Sequence, residues 1–463
     1  MNYFRRITII FCSVFLILSF ISSFIPKEWN YGFNHLRYFP IWIRIIFLIL
    51  GLLPFIPIVN QKICAWINSL IKKSNKINKT INYTIIILGF ILLFWNFRTR
   101  ILYGDAWDMI GDFYTVSINM TSPLTYLVFH WLHFFTSKIG YEPLTTMAFS
   151  SVIAGAIFII STLLVSNQLF KDTKKKIFFF LFMCTMGSIQ LYFGFIEYTS
   201  FLSASLMVYV YTGLLYLRKK VNIMIPSLVL IITILFHLEA ILVGPSLLYL
   251  IFQNKKKKIF YDFFKASIVF IILLSSFSLY IYFIEWDETI PLSPVDKFGR
   301  FGYGGVEERF YPIKIKPGSE APATMFSWYH YNQIINQQLL VAPIGIFLLL
   351  SMWISRKKVF EKNKNSKSKI NNFLAIIVIF YIIYSLIGIM HFSGRQDWDH
   401  IDASIPYTIL GAYLFLTFTR KEDLKYLVII LIVIALIHTV PWIMANHLGL
   451  PSAPTSKIMS NIY

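Results

Sequence analysis

Acids and cysteines are scarce in this chain. Asp and Glu number 22 against 42 Lys and Arg, all charged residues together make up 14%, and there are three cysteines in 463 residues. So little charge beside 57% hydrophobic residues excludes a soluble globular protein. Cys12, Cys64 and Cys184 lie in or beside apolar runs without ligand spacing, which excludes a disulfide framework and a cysteine metal cluster. No stretch has the composition of a soluble domain, and no internal repeat is found. Met1 to Phe24 carries Arg5-Arg6 ahead of an apolar run but lacks a small-residue cleavage site, so it reads as a retained first helix.

What the chain does have is apolar runs of near-spanning length from end to end. They fall at 7–24, 41–59, 82–97, 144–168, 177–195, 199–217, 222–236, 240–252, 264–284, 338–355, 371–390, 403–419 and 425–443. The pattern predicts an all-α polytopic membrane protein of about thirteen transmembrane helices. The net charge of +20 reflects lysines and arginines held in cytoplasmic loops against anionic lipid, and nucleic acid is not implied. If the spans alternate, the clusters at Arg5-Arg6, Lys62 to Lys79, Lys171 to Lys176, Arg218 to Lys220, Lys255 to Lys265, Arg356 to Lys369 and Arg420 to Lys425 all share one side. The amino terminus is then cytoplasmic and the carboxyl terminus outside, in the plasma membrane. Val221 to Phe252 has basic flanks at both ends, so it must cross twice, with His237-Leu238-Glu239 at an outer turn. Each half is too short for a ~30 Å hydrocarbon core, so that turn is expected to sit recessed.

This topology sends the polar chemistry to the outer face. Gly104 to Phe113 follows an apolar run and holds Asp105, Asp108 and Asp112, which share a helical face at i, i+3 and i+7 and leave Trp107, Ile110 and Tyr114 towards lipid or protein. Acids at a membrane edge are costly and are functional candidates, against the plainer reading of a solvated helix end. Glu197, alone among aromatic residues in the next outer turn, reads equally as a second acid and as a hydrogen-bonded structural residue. His237 suits a phosphate and Glu239 a sugar hydroxyl, or the two cap short helices. In His391 to His400, Arg395 is suited to bidentate contact with a phosphate, Trp398 to stacking on a sugar, and Asp397 and Asp399 to its hydroxyls. The alternative is that Arg395 merely pairs with one of those acids.

Thr121-Ser122-Pro123-Leu124-Thr125-Tyr126-Leu127 opens an aromatic segment too short to span, which suggests an interfacial helix. Its His130 and His133 stand at i, i+3 with no third ligand, so they read as interfacial residues before metal ligands. The loop from Glu285 to Gln338 has no apolar run. It reads either as a lid over an acceptor or as a loop with an interfacial aromatic helix around Trp328-Tyr329-His330-Tyr331.

A span, an acidic motif just outside it, a Ser-Pro-Leu-x-Tyr-Leu stretch opening an interfacial helix, and a long returning span resemble the GT-C membrane glycosyltransferases. That superfamily includes protein mannosyltransferases, aminoarabinose transferases and oligosaccharyltransferase catalytic subunits. The resemblance covers about residues 82 to 284. Its His-Pro-Pro-Leu-like stretch is matched in part by Ser122-Pro123-Leu124. It implies a polyprenyl-phosphate-linked sugar as donor and a glycan, lipid or protein as acceptor. Asp105 would be the catalytic base with Asp108 in reserve, Glu197 the second acid, and Arg395 with His237 the phosphate clamp. A divalent metal, Mg or Mn, bridging Asp105 and Glu197 is compatible with it, although members of the superfamily are thought to work without one. The chain then divides into two extra helices and a basic linker (1–80), a GT-C-like core (81–284), an outer loop (285–337) and carboxyl-terminal helices (338–463). The first part precedes the usual start of the family and leaves the subfamily open. The alternatives are a flippase or transporter of a lipid-linked sugar, which the lack of repeats disfavours, and a polysaccharide polymerase or ligase.

Overall fold

The computed structural model of the chain describes residues 3–25, 30–74, 77–102, 106–114, 121–253, 256–283, 324–354, 366–388 and 404–450. Among these the protein is all-helical. Its helices are α1 (Tyr3–Ser22), α2 (Ile41–Leu52), α3 (Pro57–Ser74), α4 (Lys79–Asn96), α5 (Ala106–Tyr114), α6 (Pro123–Thr136), α7 (Pro143–Leu169), α8 (Thr173–Thr185) and α9 (Thr199–Leu217). They continue with α10 (Met224–Phe236), α11 (Gly244–Phe252), α12 (Lys256–Phe283), α13 (Trp328–Val341), α14 (Pro343–Ile354), α15 (Ser366–Ile387), α16 (Ser404–Phe418) and α17 (Lys421–His447). Proline opens α3, α6, α7 and α14, where its missing N–H is no loss.

Seven of these helices (α1, α4, α7, α9, α12, α15 and α17) are long and apolar enough to cross a membrane, and nine spans result if each of two bent pairs counts as one. Every apolar run of the sequence contains a helix, so the step from seven to thirteen rests on the bent pairs and on α8, α10, α11 and α16. The runs 41–59 and 338–355 are not straight. α2 meets α3 at 85° and α13 meets α14 at 102°. In each case the residue before a proline leaves the helical region, Ile56 with ψ 116° and Ala342 with φ −160°. Consequently most of the basic stretch after residue 59, read as a linker, is helix α3, and the end of the loop 285–337 is helix α13.

α7, α9 and α17 form the centre of the bundle, whereas α4 and α12 present mostly exposed apolar faces, as lipid-facing helices do. Hydroxyls inside the bundle return their hydrogen bonds to their own helix, Ser150 to the Met147 carbonyl and Thr162 to that of Phe158.

The two ends of the bundle differ in chemistry. At one, Arg5 pairs with Asp423 at 3.4 Å, Arg218 donates to the Gln168 carbonyl, Lys258 lies over the Tyr216 ring, and Tyr249 reaches the Lys369 carbonyl. These contacts bring residues in or beside several of the lysine-rich clusters together in pairs. The other end gathers histidines, carboxylates and amides. α10 runs from the basic end to the polar one and α11 returns. The Phe236 carbonyl accepts from Thr125 beside the start of α9, while Ser246 lies 2.7 Å from Tyr209 midway along it. The two short crossings read from Val221 to Phe252 are thus antiparallel helices of 13 and 9 residues.

Candidate functional site

Three chain segments interlock at the polar end. The first is the turn between α8 and α9. A 3-10 helix (Gly187–Tyr192) leads to Gly194, whose φ of +66° and closeness to Arg98 admit no side chain: a Cβ there would lie 2.7 Å from the Arg98 Cβ. Glu197 and Tyr198 follow, ahead of α9. The second is the break after α10, where extended backbone at His237 (φ −161°) turns the chain into a 3-10 helix (Leu238–Val243). The third is the start of α6.

Side chains and backbone join them closely. The Tyr198 ring stacks on His237, with centroids 4.6 Å apart and planes 6° from parallel. Phe201 stacks on Phe236 at 5.0 Å. The Leu238 N–H donates to the Thr121 carbonyl at 2.7 Å, and the Thr125 hydroxyl donates to the Phe236 carbonyl at 2.9 Å. Glu197, His237 and Glu239 are all buried. His237 Nδ1 accepts from the Glu239 N–H at 3.4 Å and lies 3.7 Å from that residue's Oε2. The same nitrogen therefore lies against both the backbone N–H and the carboxylate of Glu239. Next to Thr121 the Ser122 hydroxyl is fully buried and has no hydrogen-bond partner among the described residues.

The structure thus brings Glu197, His237 and Glu239 together with the Ser122-Pro123-Leu124 stretch. Asp105, Arg395, Asp397, Trp398 and Asp399 lie outside the described residues, as does the side chain of Asp108. α5 is helical as the acid spacing requires, and the face it buries is Ala106, Met109 and Phe113, with Ile110 half-buried beside them. Phe113 docks it on α6 by stacking on His130 (4.4 Å, 10°) and meeting His133 edge-on (5.3 Å, 83°). Those two histidines are packing residues. Burial pushes the His130 imidazole down to about 4, with His133 nearby adding to the effect, and burial lowers His133 as well. Among the described residues no group of three His, Cys, Asp or Glu side chains is placed to hold a metal ion.

Arg98 and Arg100 escaped the sequence reading. Their segment is clamped between two others: the Thr99 N–H donates to the Phe193 carbonyl at 2.7 Å, the Arg100 N–H to the Asn446 carbonyl at 3.1 Å, and His447 Nδ1 to the Arg98 carbonyl at 3.0 Å. Arg98 lies over the Trp95 ring at 4.5 Å and donates to the Trp95 carbonyl. This holds a cation beside the turn that carries Glu197. A signal was there: two arginines follow an apolar run at the end where the expected topology allows few basic residues.

The broken turn opens on an apolar groove of about 500 Å³ between α10, α11 and α12, lined by Leu230, Ile234, Ile241, Leu247, Phe263 and Phe270 among others. Ile241 belongs to the same 3-10 helix as Glu239, so the groove begins where the buried polar cluster ends. Comparison with protein-family models, with curated proteins and with solved structures finds no match to this chain.

Proposed function

We propose that the chain is an integral-membrane glycosyltransferase of GT-C type that moves a sugar from a polyprenyl-phosphate donor to an acceptor hydroxyl on the extracytoplasmic face. In this reading the lysine-rich end faces the cytoplasm and the carboxylate end the outside. The observation that carries it is the meeting of the Glu197–Tyr198 turn, the His237–Glu239 turn and the start of α6 at the head of an apolar groove. A buried acid–histidine cluster suits proton transfer, and a groove of that volume suits an isoprenoid tail. Asp105, assigned from the sequence alone, takes the proton of the acceptor hydroxyl. The freed oxygen attacks the anomeric carbon, the bond from that carbon to the phosphate oxygen breaks, and polyprenyl phosphate leaves. Developing charge on the leaving phosphate needs a cation, and Arg98 joins Arg395 and His237 as a candidate for that task.

A second reading is favoured by a different observation. Helices broken at 85° and 102° and the unwound turn at His237 are also what a transporter of a lipid-linked sugar would use to bind its cargo. One experiment separates the two. The protein in nanodiscs is given undecaprenyl-phosphate-linked glucose, galactose and mannose with labelled sugar. Transfer or hydrolysis that is lost in Asp105→Asn and Glu197→Gln supports the transferase. Unchanged turnover in Asp105→Asn removes that residue as base. Flip of labelled lipid between leaflets without cleavage supports the transporter.

A further inference from the structure

α3 sorts its side chains by helical position. Val59, Ile63, Trp66, Ile67 and Leu70 recur at i, i+4, i+7, i+8 and i+11, so they form one apolar stripe. Gln61, Ala65, Ser69 and Lys72 stand on the opposite side, and Lys62 and Lys73 border the stripe. Trp66 is 64% exposed and Leu70 44%, and the three lysines are exposed too. No carboxylate occurs in the sequence between Glu28 and Asp105. Among the described residues none of these lysines is paired with an acid.

α3 does not continue α2, since their axes meet at 85°. The break is pinned to α17. Asn60 Nδ2 donates to the Pro54 carbonyl at 2.9 Å and to the Tyr426 carbonyl at 3.1 Å, and the Tyr426 hydroxyl donates to the Phe55 carbonyl at 3.0 Å. Tyr426 belongs to the second turn of α17, just past Asp423, which holds Arg5 of α1. The break therefore lies where α1 and α17 begin, at an end of the bundle. One edge of α3 meets that end: Asn60 and Ile71 are buried, and Cys64 Sγ lies 4.0 Å from the Lys425 carbonyl. Burial raises the Cys64 thiol, and the charges of Lys425 and Lys174 act against it, so cations from the starts of α17 and α8 stand near the helix.

We infer that α3 lies in the plane of the membrane surface and binds an anionic bilayer. The stripe sinks into the boundary between headgroups and acyl chains, and Lys62 and Lys73 hold phosphodiester headgroups with their stems along it. As the second half of a span, α3 would carry Gln61, Lys62, Ser69, Lys72 and Lys73 into hydrocarbon. A second copy of this chain, with its own net charge of +20, is repelled by such a surface, whereas lipid phosphates are attracted. The inference goes beyond the transferase reading and does not depend on it.

The test is the depth of α3 in nanodiscs, read on the full-length protein by spin labels at single cysteines in a Cys12→Ala/Cys64→Ser/Cys184→Ala background. Labels on Val59→Cys, Trp66→Cys and Leu70→Cys should share one shallow depth and meet oxygen more than an aqueous nickel complex. Those on Gln61→Cys and Ser69→Cys should show the reverse. Val59 and Leu70 stand about 16 Å apart along the helix axis. Depth that grows steadily from one to the other makes α3 part of a span and overturns the inference. Water access at all five positions overturns it too, and so does exclusion of both reagents, the mark of a protein partner. If the cysteine-free background melts early, the native protein answers instead. The fluorescence that Trp66→Phe removes should be quenched by lipid brominated near the headgroup and spared by lipid brominated at the tail end, and any other pattern overturns the inference. Replacing half of the phosphatidylcholine with phosphatidylglycerol should raise the wild-type melting temperature by several degrees. Lys62→Gln/Lys73→Gln should lose most of that rise, while Lys72→Gln/Lys219→Gln, with equal charge removed, keeps it. Equal rises in all three proteins overturn the headgroup contact.

Discussion

The ring of Tyr198 lies flat on the imidazole of His237, 4.6 Å between centroids and 6° from parallel. The two residues are 39 positions apart and belong to different turns, so the stack is what locks the Glu197 turn to the Glu239 turn. An aromatic pair of this kind contributes about 1 kcal/mol beyond its buried area. Tyr198→Phe should therefore keep both stability and sugar transfer near wild type. Tyr198→Leu should lose at least about tenfold in turnover, because the Glu197 and Glu239 turns are no longer held together. Turnover on the lipid-linked sugar panel, beside melting temperatures, checks this.

Acid should weaken the fold through α6. Burial holds the His130 imidazole down at about 4, against an ordinary value of 6.5, and lowers His133 too. As the pH falls, the unfolded chain binds these protons first, so stability is complete above about pH 6.5 and drains away towards pH 4. The loss from His130 reaches about 3 kcal/mol at the bottom of that window. His130→Phe preserves the stack on Phe113 and should flatten the melting-temperature profile between pH 7 and 4.5.

Gly194→Ala should be among the most damaging single-methyl changes in the protein. The residue sits at φ +66°, and the new Cβ would lie 2.7 Å from the Arg98 Cβ. Backbone strain of this kind is about 1–3 kcal/mol. A lowered melting temperature with loss of transfer out of proportion to it would show that the turn positions Glu197.

If Arg98 holds the leaving phosphate, Arg98→Gln should cut turnover by about 10²–10³. Arg98→Lys should recover part of it, since a point charge remains without the planar fork. Single-turnover rates at saturating donor separate this from a binding defect.

The groove predicts a dependence on tail length. Ser267 lines it. Ser267→Trp should raise KM for an undecaprenyl donor by about tenfold, equivalent to about 1.4 kcal/mol, and leave a short-tailed analogue unaffected. Equal KM changes for both lipids would take the tail out of the groove.

The sequence by itself determined that this is a helical protein with several apolar segments long enough to cross a membrane. Bilayer-length apolar runs and lysine clusters are read one segment at a time, and hydrogen bonding inside each helix makes that local reading sufficient. The reversal of the chain at His237 was legible as well, since both flanks are basic. Only the tertiary structure decided where the helices bend, although Pro57 and Pro343 marked the places, because a proline allows a break without fixing its angle. It also decided which polar residues meet. Tyr198 against His237 and Arg98 beside Gly194 depend on packing between segments distant in the chain. The inward amides of α13 were hidden for that reason as well: its start reads as an interfacial aromatic helix, and only its neighbours show which side is inside.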